Sequence, residues 1–484
     1  MTENDKNPAG DQTPRVSGFT NMIEVQFQKG SGMELDPATD GPCAFRSEAD
    51  AVSINDLNNF IREHGCSNAE RIFEDSSDEI ADAAVPSMDE IDVDAPDLSG
   101  IYVLHFPEDR NVHAIAKGLR DFQGVKHAAA LPLTKFASRL PPQTPTDELL
   151  FPARDNSRDF QWYINRCKVD EAWKLGYTGK GVVIADLDSG FQTDHPDLKD
   201  RFNLKRAFNT VTGNEQISKS GDNLDHGTAV AGQAGAAADD SGMVGIAHHA
   251  ELWPIEVGPS VPEAPDPLVD PRAWAKAIMQ VIKFIRTEKR RVVVSIEGQT
   301  FGNGNVTQMV MIREAVLSAI AHGAVVCVAA GNGDHEVNEA DCDNFPDPCH
   351  GEIFKPVGIT VGATDIKDLP YKGDSKGEGT NFGDAVVVSA PGDPKNDLTC
   401  SANLASPYTS VFGGTSGATA KVAGAIALML QANPQLKHAH VEQIFRKTGT
   451  PVTSKPLGRL LNCEEAVLMA EKLSGGSLEP IAAD

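Results

Sequence analysis

Five apolar runs recur between Gly181 and Asp365: GVVIADLD (181–188), ELWPIEV (251–257), RVVVSIEG (291–298), AVVCVAAGN (324–332) and GITVGATD (358–365). Each is long enough for a strand and too short for most helices. A strand that is apolar throughout needs cover on both faces, which a helix-flanked parallel sheet supplies and a half-solvated antiparallel sheet does not. Helical patterns separate the runs. Trp274, Ile278, Val281, Ile282 and Ile285 share one face, and Met311 to His322 traces a second helix that stops at Gly323. The alternation predicts an α/β fold with a doubly wound, mainly parallel sheet over residues 158–475.

The N-terminal part reads differently. Residues 1–20 are polar and without period, as expected of a disordered tail. Residues 21–136 carry a small α+β pattern. Ile23 to Phe27 alternates like a strand, Leu57, Phe60 and Ile61 mark a helix face, IYVLHF (101–106) reads as a strand, Val112, Ile115, Leu119 and Phe122 mark a second helix, and VKHAAAL (125–131) closes the unit. Ten of the 24 residues from Glu74 to Asp97 are acidic, which predicts a solvated connection. Residues 137–157 are Pro-rich with isolated Arg139 and Arg154 and read as a cleavable linker, and 476–484 read as a tail.

The formal net charge of -26 repels phosphate backbones and anionic lipid, so nucleic acid and membrane partners are not expected. The acidity is concentrated: residues 1–150 hold 27 acids and 12 bases, against 42 and 31 in the rest. Eight cysteines are too few for a disulfide scaffold. Cys327 reads as a small core residue; Cys342 and Cys349 are read as free thiols, with a bridge between them as the alternative in an oxidising compartment. The first residues lack a basic start followed by an apolar stretch, which gives a cytoplasmic expectation, with export by a route needing no N-terminal signal as the alternative.

In open α/β sheets reactive groups gather at the carboxyl ends of strands. The first run ends in Asp188-Ser189-Gly190. Asp225-His226-Gly227-Thr228 opens a helix of small residues, and Gly414-Thr415-Ser416-Gly417 leads into an apolar helix whose N–H groups favour developing negative charge. A hydroxyl needs a base to take its proton, and the base needs a carboxylate to fix its tautomer. Ser416, His226 and Asp188 supply those roles. The other common α/β serine hydrolase order is excluded internally, because no acid lies between Ser416 and the only later histidines, His438 and His440, and Ala418 breaks the G-x-S-x-G elbow.

DSG with HPDL after it (188–190, 195–198), HGTAVAG (226–232), AAGN (329–332) and GTSGATAKVAG (414–424) resemble the ordered signature blocks of subtilisin-like serine proteases. The resemblance implies a serine endopeptidase acting on polypeptides, with Asn332 as side-chain donor to the oxyanion and no required cofactor. Structural calcium stays open, with no metal ligands assigned. It further implies that Ser295, Ile296, Glu297 and Gly298 form the substrate-pairing strand. The N-terminal module resembles, at fold level, the family's inhibitory pro-domains, so the chain's own module is an expected intramolecular partner and the chain an expected zymogen.

Two departures shape the reading. Gly417 and Ala420 replace the residues usual after the serine, which motivates the alternative of a non-catalytic peptide-binding or scaffolding protein. Glu297 stands where glycine is usual and Asp343 lies eleven residues past Asn332, the spacing at which proprotein-convertase relatives hold a pocket acid. Together they predict a preference for Arg or Lys before the scissile bond.

Overall fold

The computed structural model describes residues 19–36, 43–47, 51–73, 96, 98–136, 160–218, 224–239, 242–258, 268–337, 355–373, 379–394 and 397–474. The expected linker, residues 1–18 of the expected N-terminal tail, the expected C-terminal tail, Asp343, Cys342 and Cys349 lie outside them, while Phe19 and Thr20, expected in the tail, open the first strand.

In the N-terminal module, β1 (Phe19–Phe27), β2 (Asn68–Arg71), β3 (Ile101–His105) and β4 (Val125–Pro132) pair antiparallel in the order β2-β3-β1-β4. Alternation along the strands divides their side chains between two faces. Tyr102 and Leu104 pack with Leu57 and Ile61 of α1 (Ala51–Glu63) and with Ile115 and Leu119 of α2 (Val112–Leu119). Asn111 caps α2, its side chain accepting from Ala114 N at 3.1 Å. The alternate residues Ile101 and Val103, with Met22 and Leu131, join the core of the larger domain instead. Neither face of this sheet is left to water.

The larger domain is built on a nine-stranded sheet. After the short β5 (Thr134–Phe136) come β6 (Val183–Asp188), β7 (Glu251–Glu256), β8 (Val292–Ile296), a separate β9 (Gly298–Thr300), β10 (Val325–Ala329), β11 (Ile359–Thr364) and β12 (Val386–Pro391). The sheet order is Thr450–Pro451, Arg459–Leu460, β12, β11, β10, β8, β6, β7, Phe208–Asn209, and every pairing is parallel except the first. α3 (Leu224–Gly235) and α6 (Gly414–Ala432) cover one face, where Ile184, Val293 and Cys327 point. α4 (Pro271–Glu288) and α5 (Val310–Ala321) cover the other, against Val183, Val294 and Val326. Because β7 and β8 leave β6 in opposite directions, the connections diverge at the carboxyl end of β6 and open a crevice there.

Candidate active site

Asp188 is the last residue of β6, and His226 stands in the first turn of α3 directly above it. Gly227 makes the approach sterically feasible. A Cβ there would come to 2.3 Å from Gly190 O and 2.9 Å from the Asp188 Cβ, so α3 could not seat against the strand end with any side chain at that position. The His226 Nδ1 lies 2.7 and 2.9 Å from the two Asp188 carboxylate oxygens, and its Nε2 lies 3.1 Å from Ser416 Oγ. Ser189 N–H donates to Asp188 Oδ1 at 2.5 Å. Ser416 is the third residue of α6, in reach of that helix's free N–H groups. The three residues predicted from sequence are thus brought into one hydrogen-bonded series, and all are buried.

Asn332 follows β10 and reaches the same helix start. Its Oδ1 accepts from Thr415 N and Thr415 Oγ1 at 3.0 and 3.1 Å, and its backbone N–H donates to Gln299 Oε1 at 2.8 Å. With the carbonyl end of the amide committed to Thr415, its NH2 is the donor end.

The groove is filled by the chain itself. β5 pairs antiparallel with β9, Phe136 opposite Gly298 and Thr134 opposite Thr300. On its other edge Thr134 exchanges backbone hydrogen bonds with Val269 at 2.9 and 2.8 Å, and the Trp274 indole N–H donates to Thr134 Oγ1 at 2.9 Å. The Phe136 ring lies 5.2 Å from the His226 ring, and Phe412 flanks the imidazole at 5.4 Å. The N-terminal sheet is also joined by carboxylates. Glu24 accepts from Val310 N at 3.1 Å and Met311 N at 2.6 Å, capping α5, while Glu70 pairs with Arg272 at the start of α4. Burial raises the Glu24 carboxyl to about 7.

The expected substrate-pairing segment is corrected in two ways. Ser295 and Ile296 belong to the core strand β8 and are fully buried; of the predicted residues only Gly298 lies in the pairing strand, which continues through Gln299 and Thr300. Glu297 does not border the cleft. Its carboxyl is completely buried, accepts from Ser295 Oγ at 2.5 Å, and lies in a cluster with Asp186 and Asp188. Glu297 is the single residue between β8 and β9, and from there its carboxyl lies at the sheet end beside Asp186.

Sequence reasoning also missed Lys421, fully buried on α6. Its Nζ donates to Asp397 Oδ2 and Gln233 Oε1, both at 2.9 Å, and to Gly417 O at 3.1 Å, tying the serine helix to α3. A lysine inside an otherwise apolar helix run was the available signal. Burial lowers the lysine and raises Asp397 to about 7.

A hydrogen-bonded Asp–His–Ser series at the carboxyl edge of a parallel sheet defines the architecture of an α/β serine hydrolase site. A model of the subtilase family, Peptidase_S8, matches residues 179–461, and the chain belongs to that family, whose members are serine endopeptidases. It is 29% identical over 311 residues to subtilisin BL of Lederbergia lenta, an alignment spanning 63% of this chain and 97% of that protein. It is 26% identical over 304 residues to furin-like protease 1, isoform 1-CRR, of Drosophila melanogaster, spanning 61% of this chain but only 26% of that relative's length. Fervidolysin from Fervidobacterium pennivorans, described as a keratinolytic enzyme related to subtilisin, superposes with a TM-score of 0.57 at 16% identity, covering 94% of this chain and 62% of that one, which supports the fold. These relatives correct the cytoplasmic expectation: subtilisins and furin-like proteases are secreted or extracellular enzymes. Among the described residues no helix is long and apolar enough to cross a membrane.

Proposed function

We propose that the chain is a serine endopeptidase made as a zymogen, with Asp188, His226 and Ser416 as the triad and the module at residues 21–136 as its intramolecular inhibitor. One observation carries the reading: the Asp188–His226–Ser416 series adjoins a groove in which β5 is held as an extended peptide, with Phe136 against the imidazole. Strand addition is how an endopeptidase grips a polypeptide without demanding one sequence. Asp188 holds the His226 Nδ1–H, so Nε2 is free to take the Ser416 proton as Oγ attacks the carbonyl. The Asn332 amide and the Ser416 N–H bind the oxyanion. His226 then returns its proton to the leaving amine, and water releases the acyl group by the same steps in reverse order of roles.

Cutting within 137–157 would free the module. The proposal includes a preference for Arg or Lys before the scissile bond, which rests on Asp343 now that Glu297 faces inward. Library profiling that returns large apolar residues instead removes that part. The main test is N-terminal sequencing of expressed wild type beside Ser416→Ala, with fluorophosphonate labelling of both. A processed and labelled wild type beside an intact, unlabelled variant is expected; an intact wild type that resists the probe refutes the reading and favours a non-catalytic peptide-binding protein.

A further inference from the structure

Three carboxyl groups, from Asp186, Asp188 and Glu297, present oxygens within 4.8 Å of one another at the end of β6. Asp188 is committed to His226 and Ser189. The other two are not used by the mechanism above. Asp186 sits two residues earlier on the same strand face, 1% exposed, and neither of its carboxyl oxygens has a hydrogen-bond partner among the described residues; Glu297 is 0% exposed and its Oε2 has none. Among the described residues no unengaged cation faces them. Pro254 faces Asp186 from β7, and Glu256 further along binds Ser218. From β10 comes the Cys327 thiol, whose own proton burial holds tightly. On α6 the ammonium of Lys421 is committed to Asp397, and α3 contributes only His226, through Asp188. Three anions at this spacing in a dry interior cannot coexist, because each raises the others' affinity for protons and none can be solvated. Asp188 is the one of the three with a donor on each side, His226 Nδ1 and Ser189 N.

We propose that Asp186 and Glu297 are positioning residues that hold a proton each behind Asp188, so that Asp188 is the sole anion facing His226 while the site works. Burial, reinforced by the neighbouring carboxylates, pushes both groups well above the usual carboxylate range. When either loses its proton at high pH, the added negative charge holds the imidazolium formed at His226 during the reaction more tightly and slows the return of its proton to the leaving amine. The pair therefore sets an alkaline limit on the reaction.

This rests on the endopeptidase reading, so two measurements are needed. The first is kcat/KM against pH, on one peptide substrate, for processed wild type, Asp186→Asn, Glu297→Gln and the double variant. Amides mimic neutral acids that cannot ionise. The acid limb should stay, and the alkaline limb that the pair sets should be absent from the double variant. An acid limb displaced to lower pH would mean the pair was already ionised and overturns the proposal, as does an alkaline limb that stays in place. The second needs no activity: urea unfolding of the full chain carrying Ser416→Ala, with and without the two amide substitutions. Acids whose folded proton affinity is raised give stability that is full below the unfolded carboxylate range, near pH 4, and is lost as pH rises toward their folded values. The folding equilibrium should fall up to about tenfold per pH unit per group relative to the double amide variant. Equal slopes, or one divalent ion per chain by elemental analysis of the wild type, would overturn it. Inactive wild type with the steeper slope would instead sink the endopeptidase reading alone.

Discussion

Glu24→Gln tests how the N-terminal module is held. The Glu24 carboxylate is almost wholly buried at the junction and caps α5 through Val310 N and Met311 N. Desolvation on docking, with Glu314 close by, raises its carboxyl from 4.5 to about 7. The docked form therefore binds the proton more tightly than the undocked one. Docking is favoured fully below pH 4.5 and weakens as pH rises toward 7, after which it is flat. The interval corresponds to about 3 kcal/mol, on the order of 10²-fold in the docking equilibrium. His127, whose Nε2 lies 3.9 Å from Glu24 Oε1, is pushed down by burial to about 4 and so has the opposite slope. For that reason the informative quantity is the difference between wild type and Glu24→Gln, which leaves His127 in both. In a Ser416→Ala chain, amide exchange of β1 and of the first turn of α5, corrected for intrinsic rate, should accelerate more with Glu24 intact than in the Glu24→Gln variant between about pH 5 and about pH 7. Identical pH slopes in the two proteins would refute the argument that docking desolvates this carboxyl.

Other expectations follow from the same contacts. Ser416→Ala should lower kcat by about 10⁶, measured by peptide hydrolysis, because the triad acts as a unit. Asn332→Ala should reduce kcat by ~10²–10³ with KM little changed, the behaviour of an interaction made in the transition state. Lys421→Met leaves Asp397 buried without its cation, so about 3–5 kcal/mol of stability should be lost in chemical denaturation, and adding Asp397→Leu should restore much of it. Phe136→Gly removes the ring against His226 and Trp274 and should make active enzyme appear earlier in a processing time course, since the inhibitory strand loses its apolar anchor.

What could be read in the sequence was local chemistry repeated in order. The apolar runs at 183–188, 251–256, 292–296, 325–329 and 359–364 became neighbouring strands because such runs have no stable alternative to a sheet covered on both sides. The run VVVSAP at 386–391 has the same character and forms β12, so that strand was legible though not named. β9 was not. Gly298-Gln299-Thr300 is short and polar, and it is a strand only because β5 from a distant part of the chain lies along it. Glu297 was misread for a related reason: its neighbours in sequence suggested a cleft wall, while from the single position between β8 and β9 its carboxyl joins Asp186 and Asp188 at the sheet end. Asp186 carried a signal that periodicity alone left unused, a charge inside a run otherwise built for burial.

The placement of the acidic residues explains how a module richer in acids than the domain it covers can nevertheless bind it. Net charge counts every carboxylate equally, yet those at this junction face positive groups chosen by position: Glu24 meets a helix N-terminus and Glu70 meets Arg272. The bulk of the contact is apolar, from Met22, Ile101, Val103, Leu131 and Phe136, and burial of such surface is indifferent to charge. β5 adds backbone hydrogen bonds that are equally indifferent. Salt should therefore weaken the junction little, because the Glu24 contact is buried beyond effective screening and the partly exposed Glu70–Arg272 pair is a small part of a mainly apolar contact. An excess of like charge over the two partners then opposes docking only weakly, and less so as ionic strength rises.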